Sequence, residues 1–110
     1  MKQGAIWYAN LNPSKGNEQR GIRPVVIISG NAMNDHMGIC IVCLLTSKVK
    51  KYAGCLVLEP DSKNNLSQRS EILTFQIRTI SKSRLINKIG TITAEQIATI
   101  KIGLHEILTY

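Results

Sequence analysis

Aromatic side chains are scarce in this chain of 110 residues: Trp7, Tyr8, Tyr52, Phe75 and Tyr110 complete the set. An interleaved platform on which successive bases stack, as general single-strand binders use, is therefore not expected. Acidic residues are also few, seven against 14 Lys and Arg, which leaves a formal charge of +7. Three cysteines, an odd number, do not make a disulfide framework. Cys40 and Cys43 form a C-x-x-C string inside the apolar run Ile39 to Leu45. In a strand, positions three apart point to opposite faces, so the two thiols cannot converge on a metal or act as a redox pair. Only two histidines occur, His36 in a polar turn and His105 in the C-terminal segment. No carboxylate or His cluster has metal-ligand spacing, so no cofactor and no metal is expected. No apolar run nears the roughly 20 residues of a membrane helix. Met1-Lys2-Gln3-Gly4 leads straight into a strand-like segment without a signal-peptide apolar region, so a cytoplasmic location and no membrane partner are expected.

What remains is a basic globular chain, 44% hydrophobic and 19% charged, of a size for one domain over residues 1–110. The excess charge is uneven. Residues 1–55 carry seven basic and two acidic side chains, residues 56–110 seven and five. A polyanionic partner on the first half follows, and no basic amphipathic helix points instead to a membrane surface.

Short strands separated by turn signals are expected at Ala5–Leu11, Val25–Ser29, Ile39–Thr46, Cys55–Leu58, Ser70–Gln76 and Lys88–Ile92, with a turn or short helix at Gly30–Gly38. This pattern predicts a barrel or sandwich. The end differs: Thr93-Ala94-Glu95-Gln96 is a capping box, and Ile97, Ile100, Leu104 and Leu108 make one apolar helical stripe. Asn12 to Gly21 is a long polar loop, and long loops on rigid scaffolds are often functional.

Two stretches are specific. Gly4-Ala5-Ile6-Trp7-Tyr8 followed by Asn12-Pro13 and by Gly16-Asn17-Glu18-Gln19-Arg20-Gly21-Ile22-Arg23-Pro24-Val25-Val26-Ile27-Ile28-Ser29 resembles the N-terminal signature of the MazF/PemK toxins. Gln76-Ile77-Arg78-Thr79-Ile80-Ser81-Lys82-Ser83-Arg84-Leu85 is similar to that family's second motif, and Leu45-Thr46-Ser47 stands where the family has its third-strand threonine. The resemblance covers essentially the whole chain. It implies a mainly β fold, an SH3-like barrel with added helices including one at the C-terminus. It also implies a homodimer, a cognate antitoxin, and DNA binding together with that antitoxin. Charge complementarity gives the antitoxin an acidic disordered tail.

The implied activity is cleavage of single-stranded RNA by its own 2′-OH, leaving a 2′,3′-cyclic phosphate and a 5′-OH. By the resemblance, Arg23, Thr46 and Glu18 are the catalytic candidates. An arginine fork suits non-bridging phosphate oxygens, a strand-end hydroxyl donates to the same phosphate, and a loop acid orients the arginine or receives the 2′-OH proton. Lys15, Arg20, Lys48, Lys50 and Lys51 would attract phosphates, and Asn17, Gln19 and Ser47 would contact bases. The chain departs from the family at Ser81, where an Asp is usual, and at Leu73 and Phe75, where the PemK branch has an active Arg and Asp. That second pair has no counterpart here. The competing expectations are a CcdB-like toxin of the same fold that binds gyrase, and an RNA-binding module without activity.

Overall fold

The computed structural model describes residues 1–13, 16 and 21–110. Six strands, β1 (Ala5–Asn10), β2 (Ile22–Ile27), β3 (Ile39–Thr46), β4 (Leu56–Leu58), β5 (Ser70–Ser81) and β6 (Leu85–Thr91), form one sheet in the order β4-β5-β3-β2-β1-β6. Every pairing is antiparallel. A short helix α1 (Asn31–His36) links β2 to β3, a 3₁₀ turn at Lys82–Arg84 precedes β6, and α2 (Ala94–Thr109) closes the chain. The mainly β architecture with a C-terminal helix is as expected, in the form of a curled half-barrel. Its edge strands β4 and β6 are joined by a loop instead of a ladder: Thr91 N–H donates to the Lys63 carbonyl at 3.0 Å, and the Asn65 amide to the Ile89 carbonyl at 3.1 Å.

The sheet is buried on both faces, and β3 shows why its sequence is apolar without alternation. Cys40, Val42 and Leu44 join Ala5, Ala9, Val25 and Ile80 in one core. Cys43 and Leu45 point the other way, into a second core with Ile6, Val26, Ile72 and Ile100 of α2. The two thiols therefore do face apart. Burial pushes the Cys43 thiol up to about 12, with Cys55 nearby adding to the effect, and burial also raises Cys40. Both are inert packing groups near neutral pH.

Three boundaries differ from the sequence expectation by three residues or more. Strand β2 begins at Ile22, because Arg23 and Ile22 pair with Ala9 and Asn10 of β1 even though the β2–β3 ladder stops at Val25. Pro24 sits beyond that stop, where its missing N–H costs β3 nothing. Strand β5 runs on to Ser81, since a register shift opposite Cys43/Leu44 absorbs Thr74, Phe75 and Gln76 and lets pairing resume at Ile77. Strand β6 starts earlier, at Leu85.

The capping box of α2 is formed in full: Thr93 Oγ1 accepts from Gln96 N–H at 3.1 Å, and Gln96 Oε1 accepts from Thr93 N–H at 2.8 Å. Ile100 is fully buried, and its truncation to Ala is expected to cost about 2–5 kcal/mol. Leu108, expected on the apolar stripe, is 82% exposed. The helix has overrun the sheet there, and Ile107 instead packs against Gly54.

Candidate functional site

The β-sheet register gathers the candidate residues before any side chain is considered. Ala9 pairs with Arg23 across β1–β2, and Thr46 pairs with Glu71 across β3–β5. The β2–β3 ladder pairs Val25 with Leu44. Continued two places past that pair, it sets Arg23 against Thr46, at the ends of their strands. Residues 14 positions or more apart in sequence thus come to one end of the sheet, Ala9 beside Arg23 and Thr46 beside Glu71.

Arg23 and Thr46 open onto a cleft of about 530 Å³. Ser47 and Lys48 continue this wall, and both are exposed. Pro24 and Tyr8 form the base, and the far side comes from Asn65 to Gln68 and from Asn87 and Ile89 of β6. Among the described residues the lining holds two cations, Arg23 and Lys48, and no carboxylate or imidazole. The cleft is therefore a positive, polar concavity suited to an anion. Thr46 Oγ1 accepts from the Lys48 N–H at 3.1 Å. With an acceptor position occupied by the backbone, the hydroxyl proton is left to donate outward.

The basic loop 47–54 is fastened by a residue the sequence reading passed over. Glu71 is completely buried, and its carboxylate accepts three backbone N–H groups: Lys50 and Lys51 on Oε1 at 2.8 and 3.1 Å, Tyr52 on Oε2 at 2.8 Å. Charge-assisted bonds of this kind are the strong ones, and they offset the cost of burying the anion. The signal in the sequence was a lone acid at the head of the apolar pair Ile72-Leu73, and the structure sets it across the ladder from Thr46. The far end of the loop is seated under α2. A Cβ on Gly103 would lie 2.0 Å from the Gly54 carbonyl oxygen, so only glycine permits the approach.

Of the other candidates, Lys50 and Lys51 are exposed but lie outside the cleft lining, because their backbone turns toward Glu71. Lys15, Asn17, Glu18, Gln19 and Arg20 lie outside the described residues. The two ends of their loop are fixed: Leu11 N–H donates to the Gly21 carbonyl at 2.9 Å, and Gly21 N–H to Asn12 Oδ1 at 3.0 Å. Arg84, from the second motif, donates to the Asn10 carbonyl at 3.0 Å and to that of Asn12, which ties down the exit from β1. His36 and His105 are exposed and line no part of the cleft. Among the described residues, no three His, Cys, Asp or Glu side chains gather as a metal site, and no helix is long and apolar enough to cross a membrane.

The family model of the PemK-like, MazF-like toxins of type II toxin–antitoxin systems matches residues 2–108. The chain belongs to this family. Among MazF-like relatives, it is 35% identical over 117 residues to endoribonuclease MazF of Staphylococcus saprophyticus, covering 100% of this chain and 98% of that one. It is 39% identical over 90 residues to endoribonuclease EndoA of Bacillus subtilis, covering 81% and 78%. The crystal structure of MazF from Deinococcus radiodurans superposes with a TM-score of 0.81 at 26% identity, over 99% and 96% of the two chains. A mycobacterial endoribonuclease solved with its cognate antitoxin shares the fold, with a TM-score of 0.80 at 21% identity over 98% and 94%.

Proposed function

We propose that this MazF-like chain is, over residues 1–110, a single cytoplasmic toxin domain that cleaves single-stranded RNA, messenger RNA included, without a metal cofactor. The observation that carries this reading is that Arg23 and Thr46 line one positive cleft. Relatives named as endoribonucleases support it. In the reaction the ribose 2′-oxygen attacks the adjacent phosphorus, the bond to the 5′-oxygen breaks, and a 2′,3′-cyclic phosphate and a 5′-OH result. Arg23 stabilises the charge on the non-bridging oxygens, since a guanidinium is cationic and offers a planar fork of donors. Thr46 donates its hydroxyl to the same phosphate. Lys48 holds the neighbouring backbone, and Ser47 contacts a base. Glu18, which lies between β1 and β2 in the sequence, orients Arg23 or takes the 2′-OH proton.

A homodimer and an antitoxin complete the reading. The antitoxin segment is acidic and apolar-studded, and lies over the Asn12–Arg23 and Ser47–Gly54 loops in competition with RNA. Tyr52 of the basic loop and Phe75 of β5 support this: both are exposed, and they stand edge to face at 5.1 Å beside the lysines. Incubation with a long RNA in excess EDTA tests the activity. Cleavage to cyclic-phosphate ends is expected. Cleavage abolished by EDTA and restored by Mg²⁺ or Zn²⁺ contradicts the chemistry, binding without cleavage marks an RNA-binding module, and neither marks a protein-binding toxin.

A further inference from the structure

The two walls of the cleft are chemically unlike. Arg23, Thr46, Ser47 and Lys48 carry charge and hydroxyls, whereas the opposite wall is neutral and rich in carboxamides: Asn65, Gln68 and Asn87. Between them lies Tyr8, 40% exposed. Register explains its position. Tyr8 pairs with Pro24 on one side and with Asn87 on the other, so Asn87–Tyr8–Pro24 is a continuous row across β6, β1 and β2. Tyr8 is two residues from Ile6 of the second core and so stands on that sheet face, whereas Arg23 and Thr46, two places from Val25 and Leu44 of the first core, reach the same cleft from the ends of their strands. Its ring is a flat apolar surface at the base of the cleft.

The amide wall is held rigidly. Buried Asn64 accepts from the Asp61 and Leu66 N–H groups on Oδ1, both at 3.0 Å, and donates to the Glu59 carbonyl at 2.9 Å. Asn65 takes a left-handed φ of 55° and is tied by its amide to β6. A Cβ on Gly90 would lie 2.3 Å from the Asn64 carbonyl oxygen, so the loop rests directly on the β6 backbone. Ser70 Oγ fixes the Gln68 carbonyl at 3.0 Å. By contrast, the exposed side-chain amides of Gln68 and Asn87 bond to no other described residue.

The geometry points to a base-reading subsite: one unstacked base of the RNA lies on the Tyr8 ring, and Asn87 and Gln68 read its edge while Arg23 and Lys48 hold the phosphate. This rests on the RNA-cleaving reading of the cleft and extends it to the residues that choose where the strand is cut. A carboxamide carries a donor and an acceptor side by side, the complement of a base edge, and has no net charge with which to compete for phosphate. Sequence-specific RNA recognition works on splayed, single-stranded bases stacked on aromatic rings. A single tyrosine suffices for one base, which fits a chain too poor in aromatics for a platform.

The test uses the full chain and a pool of single-stranded RNA with randomised sequence, with cut sites mapped from the new 5′-OH ends. A parallel arm titrates uncleavable 2′-O-methyl oligonucleotides that differ at one base. The double variant Asn87→Ala with Gln68→Ala is expected to relax discrimination at one base position by roughly tenfold or more, the scale for losing a paired edge contact. Tyr8→Ala is expected to weaken binding of all oligonucleotides roughly tenfold, with Tyr8→Phe restoring it, since the ring and not the hydroxyl does the stacking. All these positions are exposed, so melting temperatures should match the parent. If the parent binds with a base preference but cuts nothing, the endoribonuclease reading falls while the subsite stands, provided the double variant loses that preference. A double variant with the parent's preference in both arms, or a parent without any preference, overturns the subsite.

Discussion

Two loops face each other across the cleft, and they are built by one plan with opposite chemistry. Each is pinned by a buried polar side chain and seated on a glycine of a neighbouring element. For the basic loop 47–54 these are Glu71 and Gly103; for the amide loop 59–69 they are Asn64 and Gly90. The pins differ because the loops do. A carboxylate only accepts, so Glu71 gathers three N–H groups in a row and places an anion beneath a loop that carries three lysines. A carboxamide accepts and donates, so Asn64 closes a turn on itself at no charge. A cationic wall and a neutral wall thus share a scaffold in which neither loop is free to drift.

The comparison breaks most visibly at the charged pin. Glu71→Ala is expected to lower stability by about 4 kcal/mol, because three N–H groups lose charged partners and a cavity opens. Glu71→Gln should cost less, since one oxygen remains to accept while the new NH₂ group opposes an N–H donor. Equilibrium unfolding in urea measures both. Equal losses for Ala and Gln would show that the charge is irrelevant to the loop.

At the seats, Gly90→Ala and Gly103→Ala each press a methyl group on a carbonyl oxygen, and a loss of about 2–3 kcal/mol is expected. Thermal melts read this, and an unchanged melting temperature would mean that the loops do not rest where they are drawn. Asn64→Ala should cost about 2 kcal/mol on the neutral side. The smallest effect sharpens the division of labour: Lys48→Ala should weaken RNA binding by less than tenfold and flatten its salt dependence, with base preference unchanged. A change in preference there would erase the distinction between the walls.

Much of this was legible in the sequence, for identifiable reasons. The capping box and the unbroken apolar run of β3 are local signals, and local signals survive into the fold. The Arg23–Thr46 pair was legible only through resemblance, because nothing in their spacing reveals that two strand ends meet. Strand β5 was read short, since its alternation breaks at Thr74–Gln76, where the structure spends three residues on a register shift. Leu108 was misplaced because periodicity does not say where the sheet beneath a helix ends. Tyr8, Asn87 and Gln68 were missed altogether. Exposed amides and a strand tyrosine carry no pattern until the register lays them side by side.

The central claim is that Arg23 and Thr46 form the reacting edge of the cleft. Cleavage of a defined single-stranded RNA by Arg23→Ala tests it most directly, beside a circular-dichroism check that the variant is folded. The rate should fall roughly a hundredfold or more, the scale for removing one transition-state donor, with the melting temperature little changed because Arg23 is exposed. A folded Arg23→Ala protein that cuts at the parent's rate would contradict the account.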